Sequence, residues 1–84
     1  MRKRELVDKI EKVYEMVITV SGRMFRILRD EEDNLIIAEG SRKESEKHYT
    51  DTNQMISRYK IDGKPLRDYL DAITIVKYTA LLDA

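Results

Sequence analysis

The chain has 84 residues, which is enough for one domain (residues 1–84) with a single small core. Lys plus Arg and Asp plus Glu number 16 each, so no overall charge draws the chain toward nucleic acid or an anionic membrane. Cysteine is absent, which excludes a disulfide framework and a thiol nucleophile. Because there is no apolar run near the roughly 20 residues of a membrane span and no signal-peptide pattern, we expect a cytoplasmic protein without a membrane partner.

The first segment, residues 2–15, has the pattern of an amphipathic helix. Leu6, Ile10 and Val13 recur at steps of four and three, which places them on one side of a helix. Most of the residues between them are charged and fall on the other side. We therefore predict an N-terminal helix over this segment.

Residues 16–29 are compatible with two structures. Apolar residues continue at steps of four and three as far as Ile27, which is the spacing of one long helix over residues 2–29. This alternative predicts an all-α protein. It places Gly22 in the helix interior, however, at a cost of about 1 kcal/mol relative to Ala.

A β-hairpin accounts for the same residues better. With a two-residue loop at positions 21 and 22, Ile18 lies opposite Phe25 and Met16 lies opposite Ile27, so these apolar residues share one face. The residues before the loop are also mostly β-branched, which favours strands. We therefore prefer the hairpin to the continuous helix.

The middle of the chain predicts one further strand and a long polar segment. Residues 29–34 are rich in Asp and Glu and suit a loop, whereas residues 35–40, "LIIAEG", suit a third strand closed by Gly40. Together with the hairpin, this strand makes a three-stranded antiparallel meander. Residues 41–54 are strongly polar without a clear period, and we predict a mobile loop or a frayed helical turn there.

Two helices are predicted in the C-terminal part. Asp51 followed three residues later by Gln54 resembles a capping box, which predicts a short helix that includes Met55, Ile56 and Tyr59 and ends before residue 61. Residues 65–82 keep helical spacing, which predicts a long C-terminal helix, although the β-branched residues at 73–79 are also compatible with a strand. A second apolar side of this helix consists of Ile75, Tyr78 and Leu82.

The elements combine into an α+β fold with a helix, a three-stranded antiparallel meander, one short helix and one long C-terminal helix that packs on the sheet. A single apolar core is expected. Its predicted members are Leu6, Ile10, Val13, Ile18, Val20, Phe25, Ile27, Ile36, Leu66, Leu70, Ile73 and Val76.

No pattern in the chain indicates catalysis. There is no P-loop, dinucleotide fingerprint, nucleophile elbow or HExxH motif. His48 is the only histidine and lies in the polar segment, so a site with several histidine ligands is excluded. We expect a protein that is not an enzyme and that has no cofactor and no metal.

Two features predict contact with another protein. A helix that is apolar on two sides usually packs against two surfaces, so its second side is expected to face a protein partner or a second copy of the chain. The acidic run is best interpreted as a solvated loop, with presentation of negative charge to a basic partner as the alternative. The predicted partner-binding residues are Ile75, Tyr78, Leu82, Asp30, Glu31, Glu32 and Asp33.

Basic residues support an alternative function in nucleic-acid binding. Arg2, Lys3 and Arg4 begin the chain, and Arg23 and Arg26 lie in the second predicted strand. Such a cluster would contact phosphates in a salt-sensitive manner. In a strand, however, Arg23 and Arg26 point to opposite faces, which weakens the patch.

In element order and size alone, the predicted fold resembles some small phage inhibitors of an RNA-guided CRISPR nuclease. Those inhibitors are strongly acidic DNA mimics, whereas this chain is neutral, so their mechanism is not implied. The order of helix, three strands and helix also resembles the double-stranded RNA-binding domain. The last predicted helix, which opens "KPLRDYLDA" at residues 64–72, lacks the lysine cluster of that family. We predict a small non-catalytic protein-binding module that modulates or inhibits another protein, as a phage or mobile-element accessory factor would.

Overall fold

The structure is a computed structural model that describes residues 1–81, and its helices and strands form an α+β fold. The two α-helices are α1 (Lys3–Glu11) and α2 (Thr52–Arg58). The strands are β1 (Val13–Val20), β2 (Arg23–Arg29), β3 (Leu35–Glu39), β4 (Lys47–Tyr49), β5 (Lys60–Ile61), β6 (Lys64–Pro65) and β7 (Ile73–Ala80). Two 3-10 segments, Lys43–Ser45 and Leu66–Ala72, precede β4 and β7.

Strands β1, β2, β3, β4 and β7 form one antiparallel sheet in the order β4-β3-β2-β1-β7, and β5 and β6 form a separate two-stranded hairpin. The predicted pairing of Ile18 with Phe25 and of Met16 with Ile27 is confirmed. Residues 21 and 22 have φ angles of 50° and 83°, the pattern of a type I′ turn, whose twist matches that of the strands. The alternative of one helix over residues 2–29 is therefore wrong.

The predicted long C-terminal helix is also wrong. Residues 66–72 form 3-10 turns, and residues 73–80 form β7, which pairs with β1. Four consecutive β-branched residues begin this strand, and they favour a sheet in which each side chain packs against a neighbouring strand. The prediction of a helix was wrong because the helical spacing of the apolar residues continues from the 3-10 segment into the strand.

The sheet has five strands instead of the predicted three, because β7 replaces the predicted helix and β4 forms within the segment predicted to be a mobile loop or a frayed helical turn. His48 pairs with Ile36 in the neighbouring strand β3. Directly after β4, the Asp51 carboxylate accepts a hydrogen bond of 2.7 Å from the backbone N–H of Gln54, so Asp51 is the N-cap of α2. The side chain of Gln54 accepts from the backbone N–H of Thr50 and not from that of Asp51.

The N-terminal helix is confirmed, but it ends at Glu11 and not at the predicted residue 15. Arg29 on β2 explains this end. Its guanidinium is buried, with only 8% of the residue exposed, and donates hydrogen bonds of 2.9 Å to the backbone carbonyls of Ile10 and Val13. The Ile10 carbonyl lies in the last turn of α1, where it also accepts from a backbone N–H of the C-cap. Arg29 thus fixes the junction between α1 and β1.

The core lies on one face of the sheet, beneath α1 and α2. Three predicted core residues lie outside it: Ile36 and Leu70 are only half-buried, and Val76 is 51% exposed. Ile36 points to the opposite face because its neighbours in β3 face the core, and successive side chains of a strand alternate. The core consists of Leu6, Ile10, Val13, Met16, Ile18, Val20, Phe25, Ile27, Leu35, Ile37, Met55, Ile56, Tyr59, Ile61, Leu66 and Ile73.

Candidate functional site

The outer edge of β7 is the most accessible backbone surface of the sheet. β7 has eight residues and pairs only with β1 among the strands of residues 1–81, whereas β4 at the opposite edge has three. The backbone N–H of Ser21 donates to the carbonyl of Ala72 at 3.4 Å, so the backbone carbonyl of Ala72 points toward β1. Along an antiparallel strand, residues whose backbone groups point toward the neighbouring strand alternate with residues whose groups point away. The N–H and C=O groups of Ile73 and Ile75 therefore point away from β1. These groups are free to bind another strand.

Large apolar side chains are exposed along and just after this strand. Val76 is 51% exposed, Tyr78 is 65% exposed and Leu81 is 44% exposed. Isolated exposed apolar residues are common on protein surfaces, but several of them along a free strand edge are typical of a contact surface. Sequence reasoning assigned Val76 to the core, so it missed this exposure.

A β-bulge at Val76 determines which side chains share a face. Ile75 pairs with Ile18, and Lys77 pairs with Val17, so Val76 is an extra residue on the β7 side. In a regular strand, residues 75 and 78 would point to opposite faces. The bulge removes this difference, and both Ile75 and Tyr78 lie on the face that α1 covers.

A groove of about 430 Å³ separates α1 from β7, and we call it the α1–β7 groove. Its floor is mainly apolar. Its opposite wall, formed by α1 and the C-cap residue that follows it, is charged, with two acidic and two basic residues. The free edge of β7 thus runs beside a cleft that can receive side chains of an added strand. The floor includes Val13, Met16, Ile75, Tyr78 and Ala80, and the wall comprises Glu5, Asp8, Lys9 and Lys12.

The structure brings two of the predicted partner-binding residues, Ile75 and Tyr78, together at this groove. Leu82 lies outside the described residues. Self-association through a C-terminal helix, as predicted, is excluded for residues 73–80 because these residues form a strand. Any contact through Ile75 and Tyr78 therefore involves a strand edge, with backbone hydrogen bonds as well as side chains.

The acidic run forms the turn between β2 and β3, two strands away from β7. Asp30 holds this turn, because its carboxylate accepts hydrogen bonds of 2.9 Å from the backbone N–H groups of Glu32 and Asn34. Asp33 has a φ angle of 66° and accepts a hydrogen bond of 3.3 Å from the Arg29 side chain. Within this turn, Asp30 and Asp33 therefore have structural contacts, whereas Glu31 is simply exposed.

The basic residues of the alternative function are not gathered into one patch. Arg23 donates hydrogen bonds of 2.7 and 2.8 Å to Glu39 and one of 2.8 Å to Asp62, and these bonds raise the pKa of Arg23 above its usual range. Arg26 lies on the other face of β2 and pairs with Glu15. The charges of both arginines are thus balanced by carboxylates.

Three further residues of the alternative function, Arg2, Lys3 and Arg4, are exposed at the start of α1. The backbone N–H of Arg2 donates to the Glu5 carboxylate at 3.3 Å. Because α1 lies on the core face of the sheet, these residues and Arg26 are on opposite sides of it. A nucleic acid strand would not contact all of them along one surface.

Comparison of the chain with protein-family models, curated proteins and solved structures found no match. Among residues 1–81, no three or more His, Cys, Asp or Glu side chains are grouped so that they could hold a metal ion. Within the same residues, neither α-helix has the length and apolar character needed to cross a membrane. The β7 edge with the α1–β7 groove is therefore the candidate site that we consider for protein binding.

Proposed function

We propose that this chain is a small non-catalytic protein-binding module that accepts an extended segment of a partner protein as an added strand on β7. One observation carries the proposal: an eight-residue edge strand presents unpaired backbone groups beside exposed apolar side chains. A partner strand satisfies these backbone groups in the same way as a neighbouring strand of the sheet. By binding this segment, a module without catalytic groups would prevent the partner from using the segment elsewhere, and would so modulate or inhibit the partner.

The groove indicates the chemistry of the partner segment. Alternate side chains of an added strand point to the α1 side, where Ile75 and Tyr78 form part of an apolar floor. The charged wall carries equal numbers of acidic and basic residues, so it favours neither sign of charge. We therefore expect a segment with apolar residues at every second position.

Tyr78 is expected to contribute most to binding. Its ring is 65% exposed and lies beside the free edge, where an added strand would cover it. Tyrosine is enriched among residues that dominate binding energy, and truncating such a residue costs about 2 kcal/mol or more, which is roughly a 30-fold loss of affinity.

Site-specific photocrosslinking tests the proposal. A photoreactive phenylalanine derivative at position 78, which keeps an aromatic ring there, is compared with the same residue at position 24, because Met24 is 51% exposed but lies on the opposite face of the sheet. After irradiation in cell lysate, with and without nuclease, we expect one protein to be linked at position 78 only. Crosslinking of the same proteins at both positions, or its loss after nuclease treatment, would contradict strand addition at β7.

A substitution provides the second arm. Val76→Lys adds a charge to the edge and is expected to abolish the crosslink, because a charged side chain on an edge strand disfavours pairing. Met24→Lys is the matched control, since both side chains are 51% exposed. Circular dichroism checks that both variants fold. A crosslink between two copies of the chain would instead assign the edge to self-association.

A further inference from the structure

A second groove lies between the β4 side of the sheet, the C-terminal end of α2 and the β5–β6 hairpin. Its volume is about 540 Å³, within the range of cavities that bind small molecules. Five basic side chains line it against three carboxylates, which leaves two positive charges in excess. We call it the basic groove, after Arg23, Arg42, Lys47, Arg58 and Lys60.

The three carboxylates are already engaged by two of the basic residues. Glu39 and Asp62 accept hydrogen bonds from Arg23, and Glu44 accepts one of 3.0 Å from Arg42. These two arginines balance two of the three carboxylate charges, which leaves one negative charge. The other three basic residues outnumber it, so the groove keeps a net charge of two positive units.

Lys47, Arg58 and Lys60 are exposed and make no ion pair or side-chain hydrogen bond with any of residues 1–81. They come from three different elements, β4, α2 and β5, which the fold brings around one concave surface. Converging positive charges in a concave site focus the field on a bound anion. The sequence does not indicate this cluster of three basic residues, because they lie in three different elements and only the fold brings them together.

Tyr49 adds a neutral donor to the same groove. Its phenol is half-buried and has no hydrogen-bond partner among residues 1–81. Burial raises the pKa of Tyr49, and the charge of Arg58 only partly opposes this shift. The hydroxyl therefore keeps its proton at neutral pH and can donate a hydrogen bond to an anionic oxygen.

The floor of the groove is rigid and offers no ring for base stacking. Phe25 and Tyr59 are 1% and 5% exposed, and their rings meet edge to face with centroids 6.1 Å apart. The Tyr59 hydroxyl donates to the carbonyl of Ser45 at 3.4 Å. Binding of single-stranded nucleic acid uses exposed aromatic rings, and these two rings are buried, so the floor of the groove favours phosphate groups over stacked bases.

We propose that the basic groove binds a small soluble molecule with at least two linked phosphate groups. Lys47, Arg58 and Lys60 contact the phosphate oxygens, and the Tyr49 hydroxyl donates one hydrogen bond. Contacts between such cations and phosphate are charge-assisted and about twice as strong as neutral hydrogen bonds. This site is separate from the β7 edge, and it does not depend on the proposed strand addition.

The test uses the full chain and titrations with inorganic pyrophosphate and ADP, followed by calorimetry and by amide NMR shifts. We expect saturable shifts at Lys47, Tyr49, Arg58 and Lys60. The double variant Arg58→Ala with Lys60→Ala is expected to weaken pyrophosphate binding roughly tenfold or more. Tyr49→Phe is expected to weaken it a few-fold.

Arg67→Ala is the matched control, because Arg67 is exposed but lies outside the basic groove. Equal weakening by this control, or unchanged affinity in the double variant, would overturn the proposal. So would a lack of groove shifts at millimolar pyrophosphate. A single-stranded oligonucleotide that shifts the groove residues while pyrophosphate and ADP do not would overturn it in favour of nucleic-acid binding. Arg58→Lys keeps the charge and is expected to retain most of the affinity, which separates binding from folding.

Discussion

Replacement of Arg29 by alanine is expected to destabilise the protein more than replacement of any other arginine in the sheet. The side chain is almost entirely buried and bridges the end of α1 and the start of β1 through the carbonyls of Ile10 and Val13. It also donates hydrogen bonds of 3.2 and 3.3 Å to Glu11 and Asp33. Alanine removes all these donors, so the buried Val13 carbonyl has no donor and the Ile10 carbonyl keeps only a backbone N–H of the C-cap.

The expected loss is about 3 kcal/mol. A buried acceptor left without a donor costs about 1–3 kcal/mol, and the second lost hydrogen bond, which also comes from a charged donor, adds to this cost, while water that enters the space of the removed side chain lowers it. The two carboxylates are 52% and 80% exposed in their side chains, so they return to water and add little. A loss of this size is a large fraction of the roughly 5–15 kcal/mol by which small domains are stable.

Urea unfolding followed by circular dichroism measures this effect, with the slope of the transition compared between variants. In a thermal scan, the same loss lowers the melting temperature by roughly 12–24 °C for a chain of this size. Arg29→Met, which keeps most of the apolar stem, should lose nearly as much. Arg26→Ala is the control and should lose less than about 1 kcal/mol, because its ion pair with Glu15 is solvent-exposed. Equal losses for Arg29→Ala and Arg26→Ala would refute the argument.

Three further predictions concern local features. Asp51→Ala should cost about 1 kcal/mol in a urea titration, since it removes the N-cap acceptor for Gln54, and Asp51→Ser should retain most of the stability. Ser21→Asn should increase the free energy of unfolding by about 0.5 kcal/mol and so raise the melting point slightly, because Asn tolerates the positive φ angle at this turn better than Ser does. The hydrogen bond from Arg23 lowers the pKa of Glu39 below its ordinary 4.5, so its stabilisation is present above that pH and is lost as the pH falls through the lower folded pKa. Glu39→Gln should remove this contribution to acid unfolding, as a series of melting points from pH 7 to pH 3 would show.

The β1–β2 hairpin could be predicted because several local signals agree there. Alternating apolar residues, β-branched residues and a Ser-Gly loop all indicate the same register, and the structure has that register. The N-cap of α2 at Asp51 was predictable for a similar reason, since one side chain and one backbone group three residues on are enough to form it. Agreement among independent signals within a short segment made these predictions reliable.

The C-terminal strand was not predictable in the same way, because its partner is remote in sequence. Ile73 pairs with Val20, more than fifty residues away, and without β1 nothing in the local spacing selects a strand. A 3-10 segment before the strand also continues the helical spacing. The same error affected the prediction of the candidate site. Ile75 and Tyr78 were placed on one face of a helix, whereas in the structure they share a face of the sheet because of the bulge at Val76.

That bulge also bears on how selective the β7 edge can be. A long, regular and apolar edge would pair with many strands, and natural proteins disfavour such pairing with bulges and edge lysines. β7 has both features, since Val76 forms the bulge and Lys77 follows it. Upstream of the bulge, Ile73 and Ile75 still present regular outward backbone groups, whereas Tyr78 lies downstream of it. A partner segment has to follow this change of register to reach both parts, so the feature that disfavours general pairing would also select a matching partner.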